Sequence, residues 1–350
     1  MKKIFLAAAA LALLGVSCSS SQTTEQKGTE PYQTAMFSSK PGVKIDLNMY
    51  TGDDEFIRLI IAEMKKAAEA RGIGYDVTDS RNDTNMQISQ AKNAAQTLSA
   101  GVYNLVYPDS DSAKTVTDAF KAKNVPVIYY NREPAESVIE GYDKAYYVGS
   151  ISAQSGIMQG QLVVKHWQKN PNWDKNGDNV IQYVILKGRI GNPDAEERTK
   201  WVASTMAAFP NLGIKTEELA VEYGNWQREQ ARDKMTEWIK NGMADKIEVV
   251  ICNNDAMALG AVEAMKAANV KIPVFGVDAV DEVLKQLNEG YIFGTVKQDL
   301  AAQAYEIVNL AANLANDKPV GLNAGSPMYN RHIMVPYIPV DKDNAAKYGG

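Results

Sequence analysis

From residue 43 to the C-terminus, short apolar runs alternate with amphipathic segments of helical period. The runs with strand character are Val43–Tyr50, Gly74–Val77, Asn104–Tyr107, Val125–Tyr130, Ala145–Val148, Val180–Lys187, Glu248–Cys252, Ile272–Val277 and Ile292–Val296. Between them fall Asp54–Arg71, Asn85–Ser99, Ser110–Lys123, Ser152–Gln168, Asp194–Ala208, Gln227–Lys240, Asp255–Ala268, Val280–Glu289 and Asp299–Asn316. Strand–helix–strand alternation predicts a parallel sheet with helices on its faces, because parallel neighbours need a long crossover. Roughly nine strands over some 300 residues are many for one sheet around one core, so two domains are expected. No repeat of about 20–50 residues is visible.

In open α/β sheets, ligands sit beyond the carboxyl ends of the strands. Those ends carry Asp53–Asp54, Asn131, Asn192–Asp194, Asn253–Asn254–Asp255, Asp278 and Gln298–Asp299. Asn and Asp at such junctions are also common helix N-caps. A set chosen for capping alone would include Ser and Thr, whereas this one is almost wholly planar amides and carboxylates. A carboxylate accepts hydrogen bonds, and an amide both donates and accepts, which suits a cluster of hydroxyls. A sugar ring has hydroxyls at its edge and C–H groups on its faces, so it also calls for aromatic plates. Phe56 and Trp226 stand close to strand ends and are the candidates; packed core aromatics are the other reading.

The first residues bear on the compartment. Lys2 and Lys3 precede the uncharged, Ala- and Leu-rich run Ile4–Val16. Its length falls within the ~7–15 residues of a signal-peptide core and short of the ~20 that span a bilayer. Small residues and Cys18 follow, an arrangement that resembles a bacterial lipoprotein signal and implies lipid on the Cys18 sulfur. Gly15 stands three before the Cys, where Leu is usual; the other reading is an ordinary cleaved signal. Residues 19–42 are mostly Ser, Thr, Gln, Lys, Glu and Pro, and are expected to form a flexible tether. The expectation is a protein in the periplasm or at the cell surface, held to a membrane by its lipid alone. The chain has 2 Cys, so lipidation of Cys18 leaves Cys252 without a partner. The apolar run before it marks Cys252 as a buried small side chain. A formal net charge of −5 speaks against a nucleic-acid partner. Nothing after residue 18 is apolar enough to cross a membrane.

Asp174, Asn176, Asp178, Val180 and Gln182 place oxygen at every second position. Such alternation lets a tight loop wrap a hard cation such as Ca²⁺, with Val180 giving its carbonyl. An EF-hand-type loop would close on Glu at its twelfth position, which here is Ile185, so the loop alone is incomplete. The usual sixth-position Gly is Asn179, which tolerates a left-handed backbone. A solvated polar turn is the alternative. Catalytic signatures are thin. The chain has 2 His, with His166 inside a predicted helix and His332 near the last strand, neither in a motif. Residues 188–191 are not a phosphate-binding loop. No activated nucleophile or acid–base pair stands out, and the chain is expected to be a binder, not an enzyme.

Several stretches carry a resemblance to a known family. They are Tyr142–Gly149, Gly191–Thr199, Lys246–Met257, Pro273–Asp278 and Val340–Asn344. From residue 44 to the end the chain resembles the type I periplasmic sugar-binding family, in particular its galactose- and glucose-binding members. The resemblance implies an α/β fold of two doubly wound parallel-sheet lobes joined by a three-crossover hinge. It implies a first lobe of residues 43–149 plus 300–333 and a second of 150–299 plus 334–350. It implies sugar capture in the inter-lobe cleft, with Asp54 on the hydroxyl that separates galactose from glucose. Phe56 and Trp226 would stack on the ring, and Asn131, Asp194, Arg198, Asn254 and Asp278 would form the polar rim. Arg198 lies four after Asp194 on one helix face, so the two are expected to pair. Asn192 stands where better-known members carry His, and Gln298 where they carry Asn; both bear on which sugar is preferred. The resemblance also implies Glu248 as the cation ligand missing from the loop. The implied partners are an ABC transporter permease and, for some relatives, a chemoreceptor, with the chain itself a monomer. Ribose or inositol capture and a purely sensory role are the runner-up readings.

Overall fold

The computed structural model describes residues 39–108, 111–209 and 213–349. The signal segment 1–18, with Cys18, and the tether up to residue 38 lie outside the described residues. The chain opens with β1 (Lys44–Met49), α1 (Glu55–Ala70), β2 (Gly74–Asp79), α2 (Thr84–Thr97), β3 (Ala100–Tyr103), α3 (Asp111–Lys121), β4 (Val127–Tyr130), α4 (Glu136–Glu140) and β5 (Ala145–Gly149). It continues through α5 (Ser152–Lys169), β6 (Val180–Lys187), α6 (Pro193–Ala207), β7 (Lys215–Tyr223), α7 (Arg228–Lys240), β8 (Val249–Cys252), α8 (Asp255–Ala267), β9 (Val274–Phe275), α9 (Asp281–Gln286) and β10 (Ile292–Lys297). It returns with α10 (Leu300–Ala315), β11 (Met328–Tyr329), β12 (His332–Met334) and β13 (Ile338–Val340).

Two sheets result, a seven-stranded one ordered β11-β12-β5-β4-β3-β1-β2 and a six-stranded one ordered β13-β10-β9-β8-β6-β7. Pairing is parallel except for β11 on β12 and β13 on β10. The central strands β3, β4, β5, β6 and β8 are buried on both faces because helices cover both, as parallel sheets require. In the first sheet Ile128 and Tyr130 face α1 and α10, while Val127 and Tyr129 face α2 and α3. In the second, Val250 and Cys252 face α7 and α8, while Val249 and Ile251 face α5 and α6. Cys252 is fully buried, as its setting implied.

The structure departs from the sequence reading in β3, in β7 and at Met334. The third strand is Ala100–Tyr103, ahead of the more apolar Asn104–Tyr107. Its Gly101 lets the Phe120 ring lie against the backbone, where a Cβ would come within 2.3 Å of it. Strand β7 was not expected from KTEELAVEY; it is a half-exposed edge strand whose polar residues face water. Met334, assigned to the second lobe from sequence, still pairs with Gly149 in the first sheet.

The lobes are joined at 150–151, 298–299 and 335–337, and the first crossing is tied to the third and to α10, which follows the second. Ser150 Oγ donates to Val335 O at 2.7 Å and accepts from Gln303 Nε2 at 2.9 Å. Tyr337 N–H donates to Gln154 Oε1 at 3.0 Å.

Candidate functional site

The carboxyl ends of both sheets open onto one inter-lobe cleft of about 1000 Å³. All ten side chains that the resemblance implies line it; of the other strand-end residues Asp53 lines it too, and Asn253, Asp255 and Asp299 do not. Asp54, Phe56 and Asn131 come from the first lobe. Asn192, Asp194, Arg198, Trp226, Asn254 and Asp278 come from the second, and Gln298 from a crossing.

Capping and lining prove to be compatible. Asp54 caps α1 by accepting from Ile57 N–H at 3.2 Å, and its other oxygen accepts from Tyr50 OH at 2.7 Å. Asn192 caps α6 through Ala195 N–H, and Asn254 caps α8 through Met257 N–H. In each amide the cap uses the carbonyl oxygen; the Asn192 NH₂ is left as the outward group, while the Asn254 NH₂ gives one hydrogen to Trp226 O at 3.3 Å and keeps the other for the cleft. Asn131 and Gln298 end in the same state. Asn104 Nδ2 donates to Asn131 Oδ1 at 3.1 Å, and an Arg198 Nη approaches Gln298 Oε1 at 3.4 Å. Four amides therefore offer donors into the cleft, and Asp54, Asp194 and Asp278 offer acceptors. A hydroxyl, which donates and accepts, satisfies both kinds of wall at once.

Arg198 is buried at the base of the cleft. It donates to Asn253 O at 2.7 Å and to Tyr337 OH at 3.1 Å. Its direct pairing with Asp194 is not made. The nearer carboxylate is Asp278 at 3.9 Å, and Asp194 accepts from Ser152 Oγ at the first crossing instead. Burial pushes the Asp278 carboxyl up to about 7 against the opposing pull of Arg198, and the charge of Asp54 across the cleft adds to the rise.

Backbone strain concentrates here. Asn131, Trp226 and Asp278 sit at φ +59°, +68° and +123°, a region that non-glycine residues rarely adopt and that recurs at ligand clamps. The Trp226 indole lies directly on Gly188, where a Cβ would fall 2.2 Å from the ring. Phe56 rests partly buried on the first-lobe core. Thus the two aromatics approach from opposite lobes.

Sequence reading missed Arg132 and Tyr50. Arg132 lines the cleft with its guanidinium 3.5 Å over the Tyr50 ring, and one Nη donates to Val106 O at 2.8 Å. The signal for it was adjacency to Asn131; the signal for Tyr50 was its place at the end of β1.

The oxygen-rich loop lies at the far, amino end of β6. Asp174 accepts from Gly177, Asp178 and Asn179 N–H groups, and Asp178 from Val180 N–H and the Asn176 and Gln182 amides. Glu248, from beside β8, accepts from Lys175 and Gln182 N–H groups, so it does join this loop. Burial raises the Glu248 carboxyl, with Asp174 and Asp178 adding like charge. Among the described residues no three His, Cys, Asp or Glu side chains converge as a ready metal centre. Gln182 Oε1, however, is a buried acceptor without a partner. The donor set is all oxygen, which fits a hard cation if the loop carboxylates turn inward.

A family model described as "Periplasmic binding protein domain" matches residues 45–319. The chain is 40% identical over 310 residues to the D-galactose/methyl-galactoside binding periplasmic protein MglB of Haemophilus influenzae, covering 87% of this chain and 91% of that one. It is 29% identical to a putative rhizopine-binding protein of Rhizobium meliloti, covering 87% and 92%. Among solved structures, an ABC transporter solute binding protein from Bacillus halodurans with bound myo-inositol superposes with a TM-score of 0.71 at 26% identity, covering 88% and 97%. No helix among the described residues is long and apolar enough to cross a membrane.

Proposed function

Because the chain belongs to the periplasmic binding protein family, we propose that it captures D-galactose or D-glucose between its lobes and delivers the sugar to an ABC-type importer. The observation that carries this reading is the ring of four amide donors and three carboxylate acceptors drawn from both lobes, with Phe56 and Trp226 on either side. Neutral polyols meet that pattern. The likeness to a galactoside-binding relative narrows the ligand to a hexose.

Capture works by closure. Among the described residues no ion pair joins the lobes across the cleft, so ligand contacts from both sides supply the bias toward the closed form. Asp54 and Asp278 repel across the gap, and a ligand that donates a hydroxyl to each converts that repulsion into a bridge.

Titration calorimetry against galactose, glucose, ribose and myo-inositol tests the assignment. Heat with galactose or glucose is expected; heat with ribose or inositol alone would overturn it. Inositol is the second reading, favoured by the inositol-bound neighbour.

Three further features belong to the same reading. Cys18 carries the lipid, and a Cys18→Ser chain should lose membrane association and palmitate labelling. The Asp174–Gln182 loop with Glu248 holds Ca²⁺ as a structural tie away from the cleft; a chelator should lower the melting temperature without removing sugar binding. The closed form docks on the permease as a monomer, and a chemoreceptor is a second reader of the same form.

A further inference from the structure

Asp255 opens α8 beside the cleft amide Asn254, yet it is fully buried and lies outside the cleft lining. Its two oxygens have separate partners. Thr295 Oγ donates to Oδ1 at 2.8 Å, and Val280 N–H donates to Oδ2 at 3.0 Å. Thr295 Oγ accepts in turn from Ala279 N–H at 3.2 Å. These N–H groups belong to the two residues that directly follow Asp278. There the chain runs through φ +123° at Asp278 and +57° at Ala279, conformations that the surroundings must impose on L residues. Gly276 completes the seat, since a Cβ there would stand 2.0 Å from Asp255 Oδ1.

Burial, with the charge of Asp278 adding to it, pushes the Asp255 carboxyl well up; a carboxyl group buried without a cation is costly, and an apolar residue would serve mere stability better. What a carboxylate does here is accept on both oxygens at once, from the loop on one side and from β10 on the other. We infer that Asp255 is a positioning residue for ligand capture, clamping the strained turn after β9 so that the Asp278 carboxylate points into the cleft. This rests on the reading of Asp278 as a ligand contact.

Galactose titrations and melting curves for wild type, Asp255→Ala, Asp255→Asn, Asp278→Asn and the Asp255→Ala/Asp278→Asn double variant test the inference. Asp255→Ala should weaken binding about tenfold or more, and Asp255→Asn, which keeps an acceptor for Val280, should restore it to within about threefold. In the Asp278→Asn background the Asp255→Ala change should cost no further affinity, because its effect passes through Asp278. If Asp278→Asn binds as tightly as wild type, the reading of Asp278 fails. If Asp278→Asn weakens binding while folded Asp255→Ala binds normally, or if the two losses multiply, the positioning role is overturned. Should Asp255→Ala not fold, Thr295→Val, which removes the shared hydroxyl, takes its place in the same comparison.

Discussion

Single side chains in the cleft are set by neighbours that touch no ligand. The Trp226 plate depends on the bare face of Gly188. Gly188→Ala is expected to push the indole aside and weaken hexose binding about tenfold with little change in melting temperature; titration and Trp fluorescence would show it. Trp226→Ala should remove most of the affinity, and an unchanged affinity would take Trp226 out of the site. Asp278 gives the site a pH dependence. Its carboxyl is pushed up to about 7 by burial, so the ligand-free fold holds that proton more tightly than the unfolded chain. Stability from this group is therefore present at low pH and declines as pH rises toward 7. Hexose affinity runs the other way, because a protonated acid accepts poorly: it should fall by up to about tenfold per pH unit below 7. Asp278→Asn should flatten the profile, and a flat wild-type profile between pH 5.5 and 7.5 would remove Asp278 as an acceptor.

Helices deliver these side chains, and their packing is as specific as the cleft. Helix α5 meets α6 at Gly156 and Gly160, where a Cβ at Gly156 would stand 2.7 Å from Arg198 O and 2.9 Å from Trp201 Cβ. Because α6 carries Asp194 and Arg198, Gly156→Ala should cost about 1–3 kcal/mol of stability and weaken binding together, readable from melting and titration on the same sample. Most elements were legible in the sequence because buried parallel strands are apolar throughout and helices keep their period. β7 was not, since an edge strand mixes polar and apolar residues as a loop does. β3 was not, since close packing by Phe120 selects Ala and Gly over β-branched residues. The cleft was legible because its amides and carboxylates recur at strand ends. What the sequence hid was direction: that the carbonyls of Asn131, Asn192, Asn254 and Gln298 are occupied follows only from who caps which helix and who sits behind. Arg132 was hidden for a related reason, because its stacking partner Tyr50 lies in a distant strand.

At the scale of the molecule, two lobes with separate cores meet at three short crossings, and Arg198 reaches from the cleft to two of them through Gln298 and Tyr337. Sugar should therefore close the lobes as bodies. Small-angle scattering is expected to show a smaller radius of gyration with galactose, and no change would rule out closure as the mode of capture. The triple crossing also sets an order of completion. Strands β1–β5 are made early, but α10, which shares one face of their sheet with α1, and β12, which extends its edge, are made late. During synthesis α1 covers part of one apolar face of the first sheet, and the part that belongs to α10 stays bare until nearly the whole polypeptide has emerged. A nascent chain built this way cannot finish either half early, and it remains threadable for almost as long as it is being translated.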